Sequence, residues 1–196
     1  MSSNNKVIQA VFLDLQGTLG GEGLGDIRDF AFYPNAISGI KLLNQAGIWA
    51  IIVTNQGHIS KGDFTYEYFL EKMEKLKDVV TAAGGRIDAV YCCPHQPKDN
   101  CDCIKPLPGL LLRAQKDFHL KFSSCYVVGD TGAWDMVLAR SVGCKAVLVR
   151  TGLGESSLKE YRHTWANITP DYVADDVLDA VQWIVNQNSN ILYDGS

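Results

Sequence analysis

The chain has no apolar run approaching the roughly 20 residues that a bilayer-spanning helix requires, so no transmembrane segment is expected. The stretch from Met1 to Lys6 lacks the apolar core of a signal peptide, and a cytoplasmic location is the expectation that follows. Positive charge is not in excess either. Lys and Arg number 18 against 22 Asp and Glu, for a formal net charge of −4. That balance argues against sequence-independent binding to nucleic acid, and no basic stretch interleaved with aromatics offers a path for a single strand. Internal repeats, low-complexity tracts and long linkers are absent, so the 196 residues read as a single domain over 1–196, long enough to bury one substantial core. Disulfides are not expected in a reducing compartment, so the six cysteines point to a metal or to packing.

What is present is an alternation of apolar runs and amphipathic stretches. Lys6–Leu13, Ile48–Thr54, Ile87–Cys92, Ser124–Val128, Lys145–Arg150 and a short Tyr172–Ala174 read as strands, mostly too uniformly apolar to have a wet face. Helical periodicity covers a segment opened by Pro34–Asn35 and closed by Gly47, with Ile37, Ile40 and Leu43 on one face. It recurs over Tyr66–Ala83, with Phe69, Met73, Leu76, Val79 and Val80 inward, and over Gly109–Phe118, Gly132–Ser141 and Val177–Asn186. The tail 187–196 reads as frayed, and Gly17 to Gly25 as a loop that bends tightly beside a ligand. Strands alternating with helices predict a parallel sheet covered on both faces, a three-layer α/β/α Rossmann-like fold.

Three of these strands end in polar groups: Asp14 after the first, Thr54–Asn55 after the second, Asp130 after the fourth. Lys105 stands between the third and fourth. In a parallel sheet all carboxyl ends lie on one edge, where ligands bind, so these side chains can converge. Taken alone, Asp14 could be a nucleophile, a metal ligand or a cap. Two carboxylates would repel a phosphate by themselves. With Mg²⁺ between them and Lys105 neutralising a phosphoryl oxygen, the set makes electrostatic sense.

Asp14–Leu15–Gln16–Gly17–Thr18 resembles the D-x-D-G-T motif of the haloacid dehalogenase superfamily of phosphohydrolases. Val53–Thr54–Asn55–Gln56 is similar to its second motif, Lys105 to its third, and Gly129–Asp130 with Asp135 to its fourth. The resemblance implies that Asp14 attacks phosphorus to form an aspartyl-phosphate, with Thr54, Asn55 and Lys105 holding the phosphoryl group. It also implies Mg²⁺ bound by Asp14, the backbone carbonyl of Gln16 and Asp130, with Asp135 in support. The expected substrate is a small phosphorylated metabolite, a sugar phosphate or one like histidinol phosphate.

A second constellation lies within 92–104. Cys93–Pro94–His95 and Cys101–Asp102–Cys103 supply one imidazole and three thiolates, a closed tetrahedral set for structural zinc. Cys92 could contest a ligand position, whereas Cys125 and Cys144 sit in or beside apolar strands as core residues. This loop before Lys105–Pro106 resembles the histidinol-phosphatase and D-glycero-D-manno-heptose 1,7-bisphosphate phosphatase branch, which implies no large cap domain. Two departures bear on activity. Gln16 stands where the family has its acid–base Asp, and a carboxamide has no proton to exchange near neutral pH. Ile104 and Leu15 replace common arginines and remove cations that could grip a substrate. Besides a phosphatase slowed by Gln16, a non-catalytic phosphate- or partner-binding module and, on the shared fold, a polynucleotide 3′-phosphatase remain open readings.

Overall fold

The computed structural model describes residues 9–193. Six strands, β1 (Ala10–Leu13), β2 (Trp49–Asn55), β3 (Ala89–Cys93), β4 (Tyr126–Gly129), β5 (Lys145–Val149) and β6 (Tyr172–Ala174), form one sheet in the order β3-β2-β1-β4-β5-β6. Every pairing is parallel. Central β1 registers Phe12 against Ile51 of β2 and Val127 of β4. The chain winds to one side through β2 and β3, then returns to place β4 on the other flank of β1. A switch of this kind opens a crevice beyond the carboxyl end of β1.

Because side chains alternate across a strand, β1 feeds two cores. Val11 and Leu13 join α1 (Ala36–Gln45), α3 (Tyr66–Ala82) and α7 (Val177–Tyr193) on one face. Ala10 and Phe12 join α4 (Gly109–Phe118) and α5 (Val137–Val142) on the other. The predicted three-layer α/β/α architecture is what forms. Thr65 caps α3 by accepting a hydrogen bond from the Tyr68 N–H at 3.1 Å, satisfying one of the donors a helix start leaves open. Between β1 and β2 the chain holds only the glycine-rich loop, a 3₁₀ turn (Ile27–Asp29) and α1, which leaves no room for a large cap. Among the described residues no helix is long and apolar enough to cross a membrane.

Several local expectations shift. The predicted first strand begins at Lys6, but residues 6–8 lie outside the described residues, as do 194–196 of the predicted tail. The last helix passes Asn186 and runs to Tyr193. Val79, expected to face inward, is 50% exposed. The buried stripe of α3 is Phe69, Met73, Leu76 and Val80, and Val79 stands one residue, about 100°, off that stripe. The segment expected as a single helix over Gly132–Ser141 is a π-helical turn, Gly132–Met136, followed by α5. A short helix after β2, α2 (Gly57–Lys61), is too brief to leave a periodic signature, and α6 (Gly154–Leu158) is another.

Candidate active site

Asp14 follows β1 directly, its N–H still laddered to the Val128 carbonyl at 2.9 Å, so the strand itself aims its side chain. Thr18 donates its hydroxyl to Asp14 Oδ2 at 3.2 Å. Lys105 Nζ lies 2.5 Å from Asp14 Oδ1 and 2.7 Å from Asp135 Oδ1. The residue that brings Asp135 under the lysine is the extra one in the π turn. The Asp135 N–H bonds the Thr131 carbonyl at 2.8 Å, and that of Met136 reaches the same oxygen at 3.4 Å, the widened winding that often marks functional sites. Asp135 Oδ2 in turn accepts from the Thr131 N–H and hydroxyl, at 3.1 and 2.6 Å.

Asp130 ends β4, with Oδ2 accepting from the Leu153 N–H at 2.8 Å. The glycine-rich loop is explained here. A Cβ on Gly17 would stand 2.0 Å from Asp130 Oδ2, and one on Gly152 2.3 Å away; both residues have positive φ. Only bare backbone can close on this carboxylate.

Asp14, Asp130 and Asp135 each offer an oxygen within 4.8 Å of the others, against one ammonium. Burial pushes the Asp14 carboxyl up to about 6, against the pull of Lys105 and with a further push from Asp135. Asp130 is raised to about 8, chiefly by burial and then by repulsion from Asp14 and Asp135. Lys105 is raised because its two carboxylates outweigh its own burial. This carboxylate cluster is short of positive charge, and the ligand atoms it offers are all oxygens. Both features fit a hard dication such as Mg²⁺.

At the second strand end the polar side chains also have partners within the fold. Asn55 spends both ends of its amide on the Lys105 backbone, accepting from N–H at 3.0 Å and donating to C=O at 3.4 Å. It therefore fixes the lysine. Thr54 is buried, its hydroxyl accepting from Gln56 Nε2 at 2.9 Å. That same nitrogen donates to Gln16 Oε1 at 2.6 Å, and Gln16 Nε2 donates to the Gly25 carbonyl. The Gln16 amide is tied at both ends. Leu15 is fully buried in the core, so its identity does not touch the cleft.

Asp14, Gln16, Thr54, Asn55, Lys105 and Asp130 all line one cleft of about 330 Å³, while Asp135 is buried beneath it. Its wall is the cysteine loop. Cys93 Sγ lies 3.6 Å from Cys101 Sγ, 3.0 Å from Cys103 Sγ and 3.7 Å from His95 Nδ1, which is 3.4 Å from Cys103 Sγ. Four ligands about 2.3 Å from a tetrahedral zinc would be separated by about 3.8 Å, so this set is close to the required size. Burial raises the Cys93 and Cys103 thiols. Burial also works against the Cys101 thiolate, but hydrogen bonds from the Cys103 and Ile104 backbones hold that thiol down to about 7. Cys92 is excluded as a competitor, since it alternates to the opposite face of β3 and joins the other core. Cys125 and Cys144 are buried core residues.

Known proteins resemble this chain in sequence and in fold. A HAD-hydrolase-like family model aligns with residues 102–180. The D-glycero-beta-D-manno-heptose-1,7-bisphosphate 7-phosphatase of Yersinia pestis is 36% identical over 169 residues, spanning 81% of this chain and 89% of the relative. The enzyme of the same name from Escherichia coli K12 is 35% identical over 75% and 82% of the two chains. The chain belongs to the HAD family of phosphatases. A D,D-heptose 1,7-bisphosphate phosphatase from B. bronchiseptica, crystallised with magnesium and phosphate, superposes with a TM-score of 0.83 at 24% identity, covering 92% of this chain and 99% of that one; at that identity the likeness speaks for the fold. In this HAD phosphatase the cleft also holds Leu24, His58, Lys61 and Trp134, which sequence reasoning missed. The available sign was the Gly57–His58 pair directly after a polar strand end, on a helix too short to notice.

Proposed function

We propose that the chain is a Mg²⁺-dependent phosphomonoesterase of a small phosphorylated metabolite, a sugar phosphate by its relatives, using Asp14 as nucleophile. The observation that carries this reading is the Asp14 carboxylate itself. It is held by Lys105 and Thr18 at the carboxyl end of β1, beside Asp130, and it faces an open cleft. Asp14, the Gln16 carbonyl and Asp130 would hold the ion, with Asp135 in support, and bound Mg²⁺ supplies charge stabilisation to a phosphoryl group. One oxygen of Asp14 attacks phosphorus in line with the departing oxygen, giving an aspartyl-phosphate that water then cleaves. Lys105 balances the charge on the phosphoryl oxygens, and Asn55 keeps it in place through its backbone. Thr54 supplies a hydroxyl at the same edge. Ile104 on the wall offers no grip for a distal phosphate, whereas Lys61 at the rim carries a cation in that region.

Phosphate release from a panel of metabolite phosphates, with and without Mg²⁺, tests the assignment. The expected result is Mg²⁺-dependent release from one or a few sugar phosphates. The tied Gln16 amide favours one other reading, a binding module that keeps the fold without turnover. That module would show ligand-induced thermal stabilisation and no phosphate.

Burial of the carboxylates has a pH consequence. A carboxyl whose folded pKa is raised binds more protons folded than unfolded, so its contribution falls as pH rises. The window runs from the ordinary 3.8 to about 6 for Asp14 and about 8 for Asp130. Metal-free protein should lose melting temperature as pH rises through this window from these two groups. Added Mg²⁺ should stabilise more at pH 8 than at pH 5, because binding requires the deprotonated carboxylates. Equal Mg²⁺ stabilisation at both values in thermal melts would contradict the assigned site.

For the wall, one zinc per chain is expected by elemental analysis, bound by Cys93, His95, Cys101 and Cys103. Cys101→Ser should lose the ion and lower the melting temperature, since structural zinc contributes its binding free energy to folding. Metal-replete protein without zinc would refute the assignment.

A further inference from the structure

Resting on the phosphatase reading, we propose that His58, oriented by Asp63, donates and accepts the proton that Gln16 cannot exchange. An alkoxide leaving group needs a proton as its bond to phosphorus breaks, and the attacking water must later give one up. None of the groups already placed can do both. Asp14 is the nucleophile, Lys105 is locked between two carboxylates, and Asp135 is buried below the cleft. His95 points Nδ1 into the cysteine set. Gln16 is a carboxamide bonded at both ends.

His58 lines the same cleft and has the build of an oriented base. Its Nδ1 lies 2.7 Å from Asp63 Oδ2, which leaves Nε2 as the exchanging nitrogen when Nδ1–H faces the carboxylate. The ring stacks on Phe64 at 6.2 Å between centroids and 18° between planes. The local chain sets this up. Gly62 ends α2 in the left-handed region, φ 83°, and the reversal brings the Asp63 N–H onto the His58 carbonyl at 3.0 Å. The His58 ring shares the cleft with Asp14 and Gln16. Gln16 bonds the Gly25 carbonyl, next to Asp26. The other charged groups around the ring are Lys61 on its own helix and Arg28, paired with Asp26 and 5.9 Å from the Phe64 centroid.

The steps balance. As the Asp14 oxygen bonds to phosphorus, the bond to the leaving oxygen breaks with its electron pair, and that oxygen takes the Nε2 proton and departs as a neutral alcohol. Neutral Nε2 then takes a proton from the water that attacks phosphorus. The Asp14–phosphorus bond breaks, which returns the carboxylate, the imidazolium and inorganic phosphate.

The test measures kcat/KM with Mg²⁺ for p-nitrophenyl phosphate and a series of alkyl phosphates, in the full chain and in His58→Gln and Asp63→Asn. His58→Gln should lose on the order of 10²–10⁴ in rate on alkyl phosphates. It should lose at least tenfold less on p-nitrophenyl phosphate, whose phenolate departs unprotonated. Imidazole added to His58→Ala should restore part of the alkyl rate. Asp63→Asn should lose rate on alkyl phosphates and much less on p-nitrophenyl phosphate, because the ring loses the carboxylate that orients it. Equal losses on both substrate classes, in His58→Gln or in Asp63→Asn, overturn the role of His58 while the phosphatase reading stands. If the unmodified chain releases phosphate from neither class, that reading fails and this proposal with it.

Discussion

Asp14→Asn is expected to abolish phosphate release, by at least on the order of 10⁴ in kcat, as loss of a nucleophile does in enzymes whose groups act as a unit. A carboxamide oxygen at the carboxyl end of β1 does not attack phosphorus, and no second carboxylate can take its place. Asp130 is bonded by the Leu153 N–H and closed in by Gly17 and Gly152, and Asp135 is held by Thr131 and Lys105. The variant should nevertheless be at least as stable as the parent in metal-free buffer. Asp14 helps push Asp130 to about 8, so removing its charge relieves repulsion in a buried site, a trade of stability against function. Steady-state phosphate assays beside thermal melts check both halves. Activity in the variant above about a hundredth of the parent would remove Asp14 from the chemistry.

The second large effect is expected at Lys105. Its side chain is 3% exposed and bridges Asp14 and Asp135, which are 10% and 0% exposed. Replacing it with Met keeps the volume but leaves two carboxylates facing each other in low dielectric. Breaking a buried pair in this way costs about 3–5 kcal/mol. The loss should be smaller at pH 5 than at pH 8, because Asp14, pushed up to about 6 by burial, can then take up a proton. Phosphate release should vanish even where the variant is folded. A Lys105→Met protein with an unchanged melting temperature at pH 8 would show that the lysine does not hold this site together.

Much of the site was legible in sequence because its residues sit at strand ends, and a parallel sheet collects strand ends without any need to know the loops. Asp14, Thr54, Asn55 and Asp130 meet for that reason, and Lys105 joins them from the loop before α4. The cysteine set was legible because its ligands are near in sequence and a Pro- and Asp-rich spacer could not be core. Other details depend on contacts made across the fold. Asn55 spends its amide on the Lys105 backbone, fifty residues away, and Leu15 is swallowed by the core. The π turn that carries Asp135 spans only five residues, too few for its wider winding to show as a change of period. His58 and Asp63 stayed hidden because α2 is five residues long and their pairing depends on a glycine turn.

The account turns on a covalent bond to Asp14, and acid quenching of a single turnover followed by peptide mass spectrometry reads it directly. With Mg²⁺ and a substrate from the panel, a phosphoryl mass increment should appear transiently on the peptide carrying Asp14 and on no other. Phosphate released without any such increment, or an increment on another residue, would contradict it.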